Sequence, residues 1–308
     1  MAVEAAAAEA AVAPVVVAAD AEVAVAEDAV VAKSSFADLP QLGVGIGFRP
    51  TYRSQLFIHR AQVDFLEIIA DHYYHITPPV GDELHLLANN FKLIPHGLAL
   101  SLGSAEGLNE DYLSHFVSCV SRIRPAWCSD HIAFTRANGI DIGHLTPLPK
   151  TNAALKSLRQ NIRQLQDHLE TPLILENITE SFRYPNDQYS DADFLCEICE
   201  QNEVGILLDV TNLFINAANY NFDPLTFLQK LPRDKIVQLH FVGASFENGQ
   251  WHDNHASATQ EEIWQLLIEV VKYASVKGII LERDLNLPDL SELTPELKRA
   301  RTIMCEFA

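Results

Sequence analysis

"GILLDVTN", Gly205–Asn212, is the stretch on which the reading of the fold turns. Gly205 to Leu208 is an apolar run of the length and character of a buried strand, yet it finishes on the carboxylate of Asp209, with Thr211 and Asn212 just beyond. The same grammar recurs in "PLILENI" (172–178) with Glu176, in "IVQLHF" (236–241) with His240, and in "GIILERD" (278–284) with Glu282. A strand that is apolar along its length and polar only at its C-terminal end belongs to a parallel sheet covered on both faces, with a site built at one rim.

Outward from there, eight such runs can be counted: "LGVGIGF" from Leu42, "VDFLEII" from Val63, "KLIPHGLAL" from Lys92, "AWCSDHIAF" from Ala126, "PLILENI" from Pro172, "VGILLDV" from Val204, "IVQLHFV" from Ile236 and "GIILER" from Gly278. The segments between them carry helical periodicity. In "TNAALKSLRQNIRQLQDHLE" the apolar residues Leu155, Leu158, Ile162 and Leu165 share one face, and "SATQEEIWQLLIEVVKYA" opens with Thr259 as a cap and acids in its first turn. Eight strand-and-helix repeats predict an α/β fold, the closed (β/α)8 TIM barrel, over residues 41–308. An open doubly wound sheet would place a glycine-rich phosphate turn after an early strand, and "GVGIG" meets Pro50 instead of a helix. Residues 1–40, rich in Ala and Val and punctuated by Asp and Glu, read as an acidic low-complexity tail without fixed structure. With no basic start and no uninterrupted apolar core, this tail fits neither a signal peptide nor a membrane span, and a cytoplasmic protein is expected.

Charge narrows the partners. Lys and Arg number 22 against 41 Asp and Glu, a net charge of -19, which disfavours nucleic acid and anionic membranes because a phosphate surface must be met by clustered cations. Five cysteines, an odd number in a long chain, suit a reducing compartment. No P-loop, G-x-S-x-G elbow or paired zinc CxxC is present.

In a barrel the C-terminal strand ends converge on one mouth. Here they offer Glu67, His96, Asp130 with His131, Glu176 with Asn177, Asp209 with Asn212, His240, Asp253 with His255 in the loop "GQWHDNHAS", and Glu282; His144, in "DIGHLTPLP", is a further loop histidine within reach. Any one of these could cap a helix or pair with a lysine. Gathered together, so many carboxylates repel one another by several kcal/mol at intermediate dielectric, and bound cations remove the objection. A ligand set of oxygen and imidazole without thiolate suits iron, manganese or zinc.

With those residues in view, the chain resembles the multinuclear non-heme iron-dependent oxidative enzymes, a family formerly catalogued as one of unknown function. The resemblance runs through "HGLALSLGS" from His96, "SDHIAF" from Ser129, "TPLPKTNAAL" from Thr146, "LENITESFRYP" from Leu175, "LLDVTNLFINAANYNFDP" from Leu207, "QLHFVG" from Gln238, "DNH" at Asp253 and "EEIWQLL" from Glu261. It implies a xylose isomerase-like TIM barrel. By resemblance one iron falls to Glu176, Asp209, His240 and Glu282, a second to His96, His131 and a bridging Glu176, and a third, more weakly held, to Asn212, Asp253 and His255. Asp130 joins Glu176, Asp209 and His240 among the residues implied for catalysis, as a group that orients ligands. The resemblance further implies mixed Fe(II)/Fe(III), dioxygen as cosubstrate, oxidation of a residue, often a cysteine, in a ribosomally made precursor peptide, and a small partner protein that recognises the peptide leader. Three other readings compete on the residues alone: a zinc phosphodiesterase like endonuclease IV, a two-metal sugar isomerase, and a barrel that only binds a partner. The first needs a basic groove, which the acidity opposes, and the second a lysine at a strand end, which is absent.

Overall fold

The computed structural model describes residues 35–75 and 77–307. Its strands are β1 (Gly43–Gly47), β2 (Phe65–Ile69), β3 (Lys92–His96), β4 (Cys128–His131), β5 (Ala133–Ala137), β6 (Ile140–Pro147), β7 (Leu173–Glu176), β8 (Gly205–Asp209), β9 (Ile236–Phe241), β10 (Gly243–Glu247), β11 (Gln250–Ser257) and β12 (Gly278–Leu281). Eight of them, in the order β1-β12-β9-β8-β7-β4-β3-β2, pair in parallel around a closed ring, and each of the eight apolar runs contains one. The helices outside the ring are α1 (Arg53–Ile58), α2 (Pro78–Asn90), α3 (Glu110–Ile123), α4 (Asn152–Gln166), α5 (Asp191–Gln201), α6 (Val210–Tyr220), α7 (Pro224–Lys230), α8 (Glu261–Tyr273) and α9 (Leu290–Phe307). The fold is the TIM barrel that the strand count predicts.

Local chemistry explains the helix starts. Thr151 accepts a hydrogen bond from the Ala154 amide at the head of α4, and Leu155, Leu158, Ile162 and Leu165 are buried as their spacing requires. At α8 the structure differs from the sequence reading. Gln260, not Thr259, sits at the cap position, and its amide makes two bonds to the main chain of Ala244 (2.9 and 2.6 Å). Thr259 bonds the Glu296 carboxylate instead. The cap was given up so that Gln260 could pin the chain where it leaves the barrel after β9.

The barrel interior is layered. Phe65, Ile94, Trp127, Ile174, Leu207, Val237 and Ile280 form an apolar floor, closed from below by Leu39 and Leu42 with Phe36 packed against them. Phe36 belongs to a short 3-10 turn, Phe36–Asp38, so residues assigned to the tail at 35–40 contribute to this floor, while the rest of the tail lies outside the described residues. Because side chains alternate along a strand, the residues two positions beyond Phe65, Ile94, Ile174, Leu207 and Ile280 face inward one layer higher. These are Glu67, His96, Glu176, Asp209 and Glu282. In β9 the alternation is broken by a register shift: Ile206 pairs with Ile236 but Leu207 with Gln238. Val237 then packs on the floor, and Gln238 and His240 follow it on the inner side.

Two stretches expected as loops, "DIGHLTPLP" and "GQWHDNHAS", lie in hairpins at the mouth, and one run expected as a single strand is divided. "AWCSDHIAF" is not one strand: it ends the barrel at His131 and begins the β5–β6 ribbon, which carries His144 on β6. "GQWHDNHAS" is β11, paired antiparallel with β10. Both ribbons turn at Asn-Gly, Asn138–Gly139 and Asn248–Gly249, with all four residues at positive φ as a tight hairpin turn demands.

Candidate metal centre

Above the floor the side chains of six strands meet. His96 Nε2 and His131 Nε2 each lie 3.3 Å from Glu176 Oε2, and His240 Nδ1 lies 3.2 Å from Glu176 Oε1 and 3.0 Å from Glu282 Oε2. Two groups of potential ligand atoms result: His96, His131 and Glu176, and Glu176, Asp209, His240 and Glu282. Glu176 belongs to both. All six residues have 9% or less of their surface exposed, so water supplies little of what these polar atoms need.

Each of the three inner imidazoles has one nitrogen tied to a partner away from the cluster. His96 Nδ1 meets Ser129 Oγ at 2.8 Å, His131 Nδ1 meets the Gly97 carbonyl at 3.2 Å, and His240 Nε2 meets Glu67 at 2.9 Å. The other nitrogen of each ring therefore faces the carboxylates. Asp209 is held by its own helix: Oδ1 accepts the Asn212 amide at 2.7 Å as the cap of α6, which leaves Oδ2 aimed inward.

A metal fits these residues. His96 Nε2, Glu176 Oε2, Asp209 Oδ2 and His240 Nδ1 are buried and make no well-formed hydrogen bond within the described residues, facing other ligand atoms of the cluster instead. Buried polar atoms are rarely left so, and four in one place, none of them a thiol, is the donor set of a cation site. The charges say the same. Burial first, then the neighbouring acids, pushes the Glu176 carboxyl up to about 8 and that of Asp209 up to about 7. Burial drives His131 down to about 4, and burial with the neighbouring histidines drives His96 well below its usual range. Burial would also lower His240, but Glu67, Glu176 and Glu282 overcome it and hold that ring well above the usual histidine value. Burial disfavours the Glu282 charge as well, yet His255 and His240 hold this carboxyl well below the usual carboxylate range. Without cations the cluster must take up protons that a bound metal would replace.

The residues assigned to a third ion, Asn212, Asp253 and His255, line one cavity, and two of them meet in it. His255 on β11 does meet Asp253, 2.9 Å from its Nε2, but its Nδ1 faces Asp284 at 3.3 Å and Glu282 at 3.8 Å, so that His255, Glu282 and Asp284 form the third group of ligand atoms. Asp284 was missed in the sequence because it stands beyond the strand end, in the turn after β12. His255 adopts φ 49°, and its carbonyl accepts the amides of Asp284 and Leu285, which draws that turn over the mouth. Asp284 also pairs with Arg49. Asn212 is committed elsewhere: its Nδ2 donates to the Asn177 carbonyl at 3.1 Å and its Oδ1 accepts from Thr179.

Asp130 points away from the cluster. It alternates with His131 on β4, its Oδ1 accepts the His131 amide at 2.7 Å, and its other oxygen lies where a side chain on Gly97 would be, beside Phe116 of α3. Burial raises its carboxyl well above the usual value. It reaches the metal groups by the bond it accepts from the His131 backbone and by its charge, which repels that of Glu176. Asn177 likewise bonds the backbone of Asp209 in both directions, at 2.9 and 3.0 Å, locking β7 and β8 at the rim.

The mouth opens into a cavity of about 460 Å³ lined by His131, Glu176, Asp253, His255 and Glu282 on the metal side and by His144, Thr179, Tyr220, Trp251 and His252 further out. The two hairpins supply much of that outer wall. The five cysteines are unpaired, and none belongs to a ligand group. Among the described residues no helix is long and apolar enough to cross a membrane.

Comparison with known proteins accords with this geometry. A family model described as "RiPP precursor modification enzyme MbnB/TglH/ChrH" matches residues 43–305. A UPF0276 protein of Caulobacter vibrioides (strain NA1000 / CB15N) is 33% identical over 263 residues, covering 84% of this chain and 93% of its own. One from Vibrio vulnificus (strain YJ016) is 30% identical over 265 residues, covering 85% and 91%. Among solved structures, the 3-keto-D-glucoside 4-epimerase YcjR of E. coli superposes with a TM-score of 0.55 at 15% identity, covering 85% of this chain and 100% of that one. Endonuclease IV from Thermus thermophilus gives 0.54 at 15% identity, covering 86% and 100%. At such identity these likenesses speak of the barrel alone. The family match spans nearly the whole described barrel, and the chain belongs to the MbnB/TglH/ChrH family of RiPP precursor modification enzymes.

Proposed function

We propose that this protein holds two iron ions, with a third more weakly bound, in its barrel mouth and uses dioxygen to oxidise a residue, cysteine being the favoured target, of a ribosomally made precursor peptide. The observation that carries the reading is the shared carboxylate: Glu176 faces His96 and His131 through one oxygen and His240 through the other, in a pocket of oxygen and imidazole donors. One ion falls to Glu176, Asp209, His240 and Glu282, and another to His96, His131 and Glu176. The third falls to His255 with Glu282 and Asp284, beside Asp253. Iron so held supplies one-electron chemistry with dioxygen, which side chains alone lack.

The chain's own work is to bind, orient and shield. Ser129, the Gly97 carbonyl and Glu67 fix which nitrogen of each imidazole faces inward. The apolar floor closes the cluster from below, so a substrate enters only from the cavity. There Trp251 and Tyr220 offer aromatic walls for a peptide side chain, and Thr179 stands at the inner rim. A small leader-binding partner, present in the cytoplasm with the enzyme, would deliver the peptide; the acidity of the chain makes nucleic acid a poor substrate.

The test is anaerobic purification followed by elemental analysis and oxygen-electrode measurements with cysteine-containing precursor peptides encoded beside the gene. Two or more equivalents of iron, and oxygen uptake only when peptide is present, are expected. Protein that carries zinc alone and cleaves DNA would overturn the proposal.

A further inference from the structure

The inner histidines are not held alike. His96 and His131 turn Nε2 toward the carboxylates and rest Nδ1 on a hydroxyl and a carbonyl, whereas His240 is reversed, with Nδ1 toward Glu176 and Glu282. Its Nε2 is the only one of the three outward nitrogens to rest on a carboxylate. Glu67 Oε1 and Oε2 lie 2.9 and 3.0 Å away, and Gln238 Nε2 lies 3.0 Å away. Gln238 in turn donates to Glu67 Oε2 at 2.5 Å and accepts from the Trp127 indole N–H at 2.7 Å. A single chain of hydrogen bonds thus climbs from a fully buried floor tryptophan, through Gln238 and Glu67, to one ligand ring.

We infer that Glu67 is a positioning residue of the metal centre: anchored by Gln238 and Trp127, it takes the Nε2–H of His240 and so presents the Nδ1 lone pair to the ion shared with Glu176, Asp209 and Glu282. The inference rests on the metal reading above and deepens it. Three features support it. First, Gln238 has its amide oriented by Trp127, since the indole can only donate; the Gln238 NH2 therefore lies against both Glu67 and the His240 Nε2, and of these two neighbours of the ring nitrogen only the Glu67 carboxylate can accept a proton from it. Second, none of Glu67, Gln238 and Trp127 is more than 4% exposed, so no water competes for these bonds. Third, the break in alternation at Val237 exists only on β9, among the strands flanking β8, and it is what lets Gln238 and His240 share the inner side. Without it, the residue that orients Glu67 would face a helix. Outer partners of this kind commonly change metal affinity by about 10- to 100-fold when removed.

The test uses the full chain freed of metal and reloaded with Zn(II), in wild type, Glu67→Gln and Gln238→Met. Zn(II) affinity is measured by competition with a chromophoric chelator, and the ring protonation of His240 by 15N NMR of the histidine side chains in the loaded protein. Wild type is expected to show His240 as the Nε2–H form with Nδ1 on the metal. Glu67→Gln should lose about 10- to 100-fold in affinity at one site, with the other site and the metal-free melting temperature little changed, and with the His240 resonances shifted or split. Gln238→Met should shift both readouts in the same direction by less, because Glu67 remains but loses its anchor. Unchanged affinity and an unchanged His240 pattern in Glu67→Gln would overturn the inference while leaving the metal centre standing. An equal loss at both sites accompanied by a lower metal-free melting temperature would also overturn it, by reducing Glu67 to a packing role. Wild-type protein that takes up no Zn(II) or Fe(II) would instead sink the metal reading and this inference with it.

Discussion

Asp209 shows at the residue scale how one side chain serves two masters. One oxygen caps α6 and the other is left for a cation. Replacement by alanine should therefore cost the cap, about 1 kcal/mol, and in addition abolish tight binding at the ion it shares with Glu176, His240 and Glu282. Differential scanning fluorimetry together with iron analysis would check this: folded protein with a modest fall in melting temperature and most of the iron gone is expected. Asp209→Asn should separate the two roles, since asparagine caps as well as aspartate while losing the charge. Most of the inner cluster was legible because strand-end position and side-chain type both show in the sequence. His96, His131, Glu176, Asp209, His240 and Glu282 all lie at the inner layer. Asp130 and Asn212 were not legible in the same way. Which face of a short strand a residue takes, and which local amide it satisfies, depend on Gly97 and Asn177, far away in sequence.

Among the elements, the β10–β11 ribbon carries Asp253 and His255 and is docked at both ends by paired side-chain bonds to its main chain. Asn219 of α6 bonds the Trp251 main chain in both directions, at 2.9 Å each, and Gln260 does the same for Ala244 at the other end. Asn219→Ala removes both bonds at Trp251 and should cost roughly 1–3 kcal/mol of local stability. Hydrogen exchange across 243–257 should rise at least several-fold while the barrel strands stay protected. Equal protection would show that packing of Trp251 against Phe214 and Phe246 suffices. That these mouth segments were read as loops has a physical reason. Their strands alternate weakly, with exposed and half-buried residues on both faces, so the period-two signal is faint. The Asn-Gly pairs at 138–139 and 248–249 were the available clue, a strong short-range mark of a tight hairpin. The barrel strands, by contrast, are buried on both faces and announce themselves as continuous apolar runs.

For the whole molecule, the proton uptake of the metal-free cluster sets a pH dependence. Glu176 and Asp209 sit near 8 and 7 when folded, above their ordinary values of 4.5 and 3.8, so the folded state binds protons that the unfolded state has released. Stability from these groups is full at low pH and is lost as pH rises through those values. His240, raised above 6.5, acts in the same direction. His131, lowered to about 4, acts oppositely, its stability present above 6.5 and lost as pH falls, so its contribution is already complete in the range that matters. Chelator-treated protein should melt at a lower temperature at pH 8 than at pH 6.5, and added Fe(II) or Zn(II) should reverse the order, because a cation replaces those protons more readily as pH rises. A metal-free protein whose melting temperature climbs between the two pH values would contradict this. The pairing of β1 with β12 carries one more consequence. A ribosome delivers the first strand long before the last, and the ring cannot shut until Gly278–Leu281 has left the exit tunnel beside Gly43–Gly47. Glu282 arrives with that closing strand, so the nascent polypeptide has no complete cage for a cation until β12 has been made and has joined the ring.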